Sequence, residues 1–450
     1  MMTDDQITAD VDALVSRASR AQEAFEHWSD ERIDALLHDL AESFAAAAEA
    51  LAIATVEETG MGSVSDKTLK NRFASLGVYA SLAGKPGQGT LTVDAARQVA
   101  EVASPVGVVF GVVPVTNPVA TAMFKTLIAL KGRNALILSF HHRALDVAGK
   151  ALRIVTGVLG AHGAPLDLVQ WVRRRGGRET TTKLMRHPQV ALILATGGAG
   201  LVKAAYSSGT PAIGVGPGNA PAWICADADL EEAARAIVTS KTFDNGLICG
   251  AEHNLVVDER VAESFADALV RNGAAVLTGD EEARFAANAV DVESRSLRSE
   301  WIGQPAATIA AALGIERPYD IRLLIVRTGS AQLQGIYAGE KLAPFLSWFT
   351  VASEDEGLAL CRNLLKHVGA GHTAIIHTAS AERVDRFART MPAGRILVNS
   401  PAAQGCCGMT TGLECSMTLG CGTFGGNSTT DNVTFRHLLN IKRVAYGRAS

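Results

Sequence analysis

The chain has 450 residues, 48% of them hydrophobic and 20% charged, and carries a net charge of −4. That is apolar material for two or three cores, and its scattered lysines and arginines form no basic face or tail, which argues against nucleic acid. No run reaches the ~18 uninterrupted apolar residues of a membrane span. The first ten residues are polar and acidic, unlike a secretory leader, and the seven cysteines include no CxxC pair. That usage predicts free thiols in a reducing, cytoplasmic compartment, with neither a disulfide frame nor a metal site.

In chain order, Val11, Leu14, Val15, Ala18, Ala21, Phe25 and Trp28 recur at helical spacing. Ser29 and Asp30 then offer a cap for a second helix with Ile33, Leu36, Leu37, Leu40 and Phe44 on one stripe. A third helix over 49–59 stops at Gly60. From Val106 the texture changes. Apolar strands over 108–113, 135–138, 166–171, 190–195 and 212–215 alternate with helices over 121–131 and 145–159. Continuous apolar strands between helices predict a parallel sheet covered on both faces, the doubly wound nucleotide-binding layout. A second α/β unit follows Gly218, with strands over 222–225, 255–257, 323–326, 345–349, 373–377 and 396–399. The glycine-, serine- and threonine-rich stretch 402–432 reads as ordered loop, and a tail strand over 441–445 is a partner for 91–104.

One stretch stands out, Phe243-Asp244-Asn245-Gly246-Leu247-Ile248-Cys249. It ends a helix, turns at Asn245 and Gly246, and delivers a thiol at the mouth of the turn, where a substrate can reach it. Several segments accompany it: Pro105-Val106-Gly107-Val108-Val109, Pro114-Val115-Thr116-Asn117-Pro118, Lys131-Gly132-Arg133-Asn134-Ala135 and Ala195-Thr196-Gly197-Gly198. Gly214-Val215-Gly216-Pro217-Gly218-Asn219, Gly369-Ala370-Gly371-His372-Thr373 and Thr418-Leu419-Gly420-Cys421-Gly422 complete the set. In this order they resemble the CoA-acylating branch of the aldehyde dehydrogenase superfamily over nearly the whole chain.

The resemblance implies an α/β fold with a Rossmann-type cofactor domain, an α/β catalytic domain and small oligomerisation strands. The divisions it implies are 1–220 for the opening helices and cofactor domain (with 91–104 as an oligomerisation strand), 221–425 for the catalytic domain, and 426–450 for the returning tail. It also implies a homodimer or homotetramer acting on a small aldehyde, with NAD(P) as cofactor and coenzyme A as co-substrate. Cys249 would be the nucleophile that forms a thiohemiacetal and then a thioester; the bland alternative is a buried turn cysteine. Asn117 stands at the carboxyl end of a strand, where ligands bind in open sheets. Its amide would donate to the oxyanion, although an Asn before Pro118 also starts turns. His372 would help deprotonate CoA or merely cap a strand.

For the cofactor, Thr116 and Thr196-Gly197-Gly198 would approach a pyrophosphate at a helix N-terminus, joined by Gly214 and Gly216. Ser139, His141 and Arg143 follow a strand where an adenosine ribose would lie. No carboxylate stands there, so Arg143 or a histidine would meet a 2′-phosphate, unless the arginine is simply solvated. Glu340 matches the family glutamate that holds the nicotinamide ribose, against the alternative of a surface acid. Hydrolytic relatives carry a glutamate in the segment that here reads Gly214-Val215-Gly216-Pro217-Gly218, so a base for water is lacking and CoA thiol becomes the acyl acceptor. Among aldehydes, the segments look most like enzymes of small anionic ones, succinate semialdehyde or sulfoacetaldehyde, with acetaldehyde next and Arg395 or Lys125 as pocket cation. The cluster Cys406-Cys407 with Cys415 and Cys421 lacks paired ligand spacing and reads as structural, lining the substrate pocket, with Cys421 in the family's Leu-Gly-Cys-Gly pattern. A hydrolytic enzyme and a non-catalytic assembly component are the rival readings.

Overall fold

The computed structural model describes residues 3–173, 177–291, 293–294, 296–329 and 335–447; Met1, Met2 and the last three residues of the tail lie outside them. The opening helices are Asp4–Phe25, Asp30–Ala46 and Ala48–Thr59, and their apolar stripes are buried as the spacing predicts. Thr3 and Ser29 cap the first two through their side chains, and Gly60, at φ 70°, ends the third. A further helical stretch has no counterpart in the sequence reading: Val64–Arg72, a π-turn Phe73–Gly77 and Val78–Leu82. The residues that Val64–Arg72 buries are Lys67, Lys70 and Asn71, so an apolar period could not reveal it.

Two strands form a hairpin, β1 (Gly89–Asp94) and β2 (Val99–Pro105). The single extension expected over 91–104 is therefore two strands, turned where Asp94 Oδ1 accepts the Arg97 N–H at 2.9 Å. The next five strands are β3 (Val108–Val113), β4 (Ala135–Phe140), β5 (Val169–Trp171), β6 (Val190–Thr196) and β7 (Ala212–Val215). They make a parallel sheet in the order β5-β4-β3-β6-β7. Its first strand in sequence lies at the centre, so the crevice between β3 and β6 is the topological switch point. The expected strand over 166–171 is half turn: Leu166–Leu168 is a 3₁₀ segment closed by Leu168 N–H to Pro165 O at 3.2 Å, and only Val169–Trp171 pairs. The helix Pro118–Lys131, buried at every residue, packs on this sheet; a helix buried all round needs partners on all sides.

Seven more strands are β8 (Ala220–Ile224), β9 (Glu252–Asp258), β10 (Ala274–Val276), β11 (Leu323–Arg327), β12 (Phe345–Val351), β13 (Gly371–His377) and β14 (Ala393–Val398). They form a second parallel sheet, ordered β10-β11-β12-β9-β8-β13-β14. β8, β9 and β13 are buried at every residue, as central strands covered on both faces must be. The tail strand β15 (Leu439–Ala445) returns to pair antiparallel with β2, as expected. The fold is α/β, with two open parallel sheets and a small antiparallel one. No helix among the described residues is long and apolar enough to cross a membrane.

Candidate active site

The two parallel sheets share one cleft of about 460 Å³. The five-stranded sheet turns its carboxyl edge to it: Thr116 and Asn117 beyond β3, Ser139 and His141 at the end of β4, Thr196 to Gly198 at the end of β6, and Gly216 beyond β7. The seven-stranded sheet contributes amino ends instead. Cys249 precedes β9, and Glu340 and Leu342 precede β12.

Cys249 reaches the cleft because the chain before it is bent into an unusual turn. Asp244, Asn245 and Gly246 have φ of 49°, 52° and 76°, three successive left-handed residues. Asn, Asp and Gly are the types that accept this conformation most readily. The turn is tied down from several sides. Asp244 Oδ1 accepts the Ser63 N–H at 2.9 Å, and its Oδ2 accepts from Lys67 Nζ at 3.0 Å and from Lys70 Nζ. Asn245 Nδ2 donates to Gly303 O at 2.9 Å. A Cβ on Gly218 would stand 1.7 Å from Cys249 O, so only glycine lets the two segments touch.

His372, the second residue of β13, is fully buried, and its Nε2 lies 3.2 Å from Cys249 Sγ. Its Nδ1 faces Thr373 Oγ1 at 2.9 Å. Burial, then the charge of Arg395, brings the imidazole down to about 3, and burial pushes the Cys249 thiol up. Both groups are therefore neutral at pH 7. The thiol donates to Nε2, and Nδ1–H donates to Thr373 in the matching tautomer.

Asn117 is the residue before the helix Pro118–Lys131, yet its side chain makes no capping bond. Lys70 Nζ donates to its Oδ1, which turns Nδ2 towards Thr116 Oγ1 (3.2 Å) and Leu247 O (3.5 Å), two residues short of Cys249. Lys70 thus holds Asn117 and the Asp244 turn together. Nothing in the sequence reading singled out Lys67 or Lys70, and Asp244 stood there only as part of the turn before Cys249; the Ser63-x-x-Asp66 cap hints at the helix that carries the two lysines.

The remaining predicted positions divide. Thr116, Ser139, His141, Thr196, Gly197, Gly198, Gly216 and Glu340 line the cleft; His372, Arg143 and Gly214 do not. His372 sits behind Cys249. The Arg143 guanidinium is turned to Thr59 O at 2.6 Å, so it is neither free nor in the cleft. Gly214 serves packing: a Cβ there would meet Val202 Cγ1 at 2.7 Å and Tyr206 Cε2 at 2.8 Å. Lys125 and Arg395, the expected pocket cations, are both buried away from it. Lys125 Nζ donates to Val112 O and Leu194 O (2.6 and 2.8 Å), bridging β3 and β6, and burial lowers it to about 7. Arg395 is spent on the carbonyls of His372, Gly420 and Thr430. Of the four clustered cysteines, Cys407 lines the cleft, with Cys406 Sγ 3.7 Å from its sulfur, while Cys415 and Cys421 lie outside its lining.

Glu340 is half-buried; its Oε1 accepts the Gly218 N–H at 2.9 Å, and burial lifts the carboxyl to about 7. The cleft also fits a dinucleotide. Thr196 Oγ1 is buried without a partner, ready to bond a ligand oxygen. A Cβ at Gly198, Gly200 or Gly216 would meet nothing within 4 Å, so the start of the helix Ala199–Tyr206 is open to a ligand's approach. Among the described residues, no group of three or more His, Cys, Asp or Glu is arranged to hold a metal.

Comparison with known proteins gives a consistent result. The model of the aldehyde dehydrogenase family matches residues 3–434. The bifunctional aldehyde-alcohol dehydrogenase AdhE of Escherichia coli K12 is 40% identical over 442 residues, 97% of this chain and 49% of the relative. The chain thus spans about half the length of the first curated relatives it matches. A sulfoacetaldehyde dehydrogenase of Acholeplasma is 37% identical over 438 residues, covering 96% of this chain and 90% of the relative. In structure, an acetylating aldehyde dehydrogenase from Geobacillus thermoglucosidasius superposes with a TM-score of 0.95 at 40% identity, over 99% of this chain and 98% of the other. Sequence model, relatives and structural neighbour agree with the cleft: the chain belongs to the aldehyde dehydrogenase family.

Proposed function

We propose that this chain is a CoA-acylating aldehyde dehydrogenase in which Cys249 carries the acyl group. The observation that carries the reading is Cys249 Sγ, 3.2 Å from a neutral imidazole, in a cleft whose Gly214 to Gly218 segment holds no carboxylate. Sulfur attacks the aldehyde carbon while its proton passes to His372 Nε2, so that no free thiolate forms in a buried site that disfavours it. The carbonyl oxygen gains charge and is met by Asn117 Nδ2 and the Cys249 N–H, beside the positive end of the helix Pro118–Lys131. Bound at Thr196, Gly197, Gly198 and Glu340, a nicotinamide cofactor supplies the hydride acceptor. The acyl group then rests on Cys249 as a thioester.

Its fate depends on who can be deprotonated. Once the first proton has left His372 for solvent as the hydride departs, the neutral imidazole can take the proton of an incoming CoA thiol and return it to the Cys249 sulfur that is released; thiol attack on a thioester needs little further help. The cleft does contain one carboxylate, Glu340, but it is engaged by the Gly218 N–H and suits the ribose role. As for the aldehyde, no lysine or arginine among the described residues lines the cleft, which has Leu247, Ile248, Leu342, Met417 and Leu419 in its wall. This favours a short neutral aldehyde over the anionic ones. The three-stranded sheet β1-β2-β15, with Val93, Val444 and Tyr446 exposed, supports a homo-oligomer built through that sheet. Seven unbonded cysteines support a cytoplasmic setting.

The test is product partition. With a short aldehyde and each nicotinamide, acyl-CoA should accumulate only when CoA is present. Free carboxylic acid released at the same rate without CoA would refute the reading in favour of the hydrolytic one.

A further inference from the structure

The helix Val64–Arg72 turns Lys67 and Lys70, three residues apart and so on one face, into the protein. Both are buried, and neither lines the cleft. Their Nζ atoms share the buried carboxylate of Asp244 but differ in what else they hold. Lys67 Nζ donates to a backbone atom, Thr116 O, at 3.0 Å, whereas Lys70 Nζ donates to the side-chain Oδ1 of Asn117. The other end of that amide is held loosely. Nδ2 has Thr116 Oγ1 at 3.2 Å and Leu247 O at 3.5 Å, at and beyond the long end of the usual range of about 2.7–3.2 Å. An ammonium has donors only, so it accepts Oδ1 as neighbour and repels Nδ2. Turned half a rotation, the amide would set donor against donor and point Oδ1 the other way.

We propose that Lys70 is a positioning residue for the reaction: it prevents the Asn117 amide from flipping, and through Asp244 it sets that donor against the turn that carries Cys249. The inference rests on the dehydrogenase reading above, in which Asn117 Nδ2 meets the developing oxyanion. A flipped amide would direct its oxygen at that negative charge, so each moment spent flipped is lost to catalysis. A donor helps the transition state only when it is already aimed, and the effect therefore belongs to kcat. Removing Lys70 does not strand the Asp244 carboxylate, because Lys67 Nζ remains 3.0 Å from Oδ2 and the Ser63 N–H 2.9 Å from Oδ1. Lys70→Met thus tests aim more than folding.

The experiment is a double-mutant comparison of acyl-CoA formation from a short aldehyde, CoA and a nicotinamide, in the parent and in Asn117→Ala. In the parent, Lys70→Met should lower kcat at least about tenfold, short of the roughly 10²–10³-fold cost of removing the donor outright. The KM for the aldehyde and the calorimetric affinity for the nicotinamide should not change, and Lys70→Arg should recover part of the loss. In Asn117→Ala, neither substitution should cost anything further, since no amide is left to aim. Should Lys70→Met not fold, Lys70→Arg carries the test, its smaller loss likewise vanishing in Asn117→Ala. Equal losses in the two backgrounds, a loss matched by weaker nicotinamide binding, or an unchanged kcat overturns the proposal and leaves the dehydrogenase reading intact. A parent that forms no acyl-CoA refutes that reading, and this inference falls with it.

Discussion

The five-stranded and seven-stranded sheets meet at one cleft, yet they present opposite edges and opposite chemistry. The first offers carboxyl ends carrying small, uncharged residues: Thr116, Asn117, Ser139, Thr196, Gly197 and Gly198. The second offers amino ends carrying groups that titrate, Cys249, His372 and Glu340, each shifted by burial towards its neutral form. Binding a phosphate-rich ligand calls for close backbone approach and a helix start, which glycine and threonine permit. Moving protons calls for desolvated groups in contact, which a packed strand end can hold rigid. The rule that ligands sit at carboxyl ends describes only the first sheet. The Cys249 thiol comes from the other.

Substitutions on each side should therefore differ in kind. The largest effect is expected for Cys249→Ala, a loss of acyl-CoA formation on the order of 10⁴-fold or more with nicotinamide binding retained, read by stopped-flow absorbance and calorimetry. If acyl-CoA still forms at the parental rate, the thioester is carried elsewhere. Asn117→Ala removes the donor to the oxyanion and should lower kcat about 10²–10³-fold, with KM for the aldehyde little changed. A KM effect alone would mean that Asn117 only binds the ground state.

His372→Ala should cost roughly 10²-fold and change the pH profile. Without the imidazole, Cys249 must lose its proton to solvent, so the residual rate should climb with pH well past neutrality. A variant profile parallel to the parent's would leave His372 as a packing residue. The smallest effect concerns stability. Burial lifts the Glu340 carboxyl to about 7, against ~4.3 in an unfolded chain. Its contribution to folding is complete below the unfolded value and is lost as pH rises through about 7. Glu340→Gln stays neutral throughout, so its Tm should exceed the parent's by about 2–4 °C at pH 8 and converge with it near pH 4.5. A gap independent of pH would mean that Glu340 is not the group titrating.

Much of this architecture was legible in the residues. Strands such as β3, β6 and β9 are continuous apolar runs buried on both faces, and their alternation with helices leaves few layouts open. Cys249, Asn117, Thr196 and Gly216, which the structure brings to one cleft, each lie at a turn, a strand end or a glycine run, and the family resemblance drew attention to them. The helix Val64–Arg72 was missed, since its buried side chains are Lys67, Lys70 and Asn71. Its partners, Asp244 and Asn117, lie 174 and 47 residues away, and no local pattern reports a pairing at that range. Lys125, Arg395 and Arg143 failed for the complementary reason. Their charge was visible, but which carbonyls would claim it was not.

The linear order of residues determined the two α/β units, the position of the thiol, and the lack of a water-activating carboxylate between Gly214 and Gly218. Only the folded molecule decided that His372 stands behind the sulfur, that Lys70 aims the Asn117 amide, and that Lys125 and Arg395 turn away from the cleft to backbone carbonyls. Strand formation follows from neighbouring side chains and is written locally. The direction in which a buried amine or imidazole points depends on partners that meet it only after the two sheets have packed.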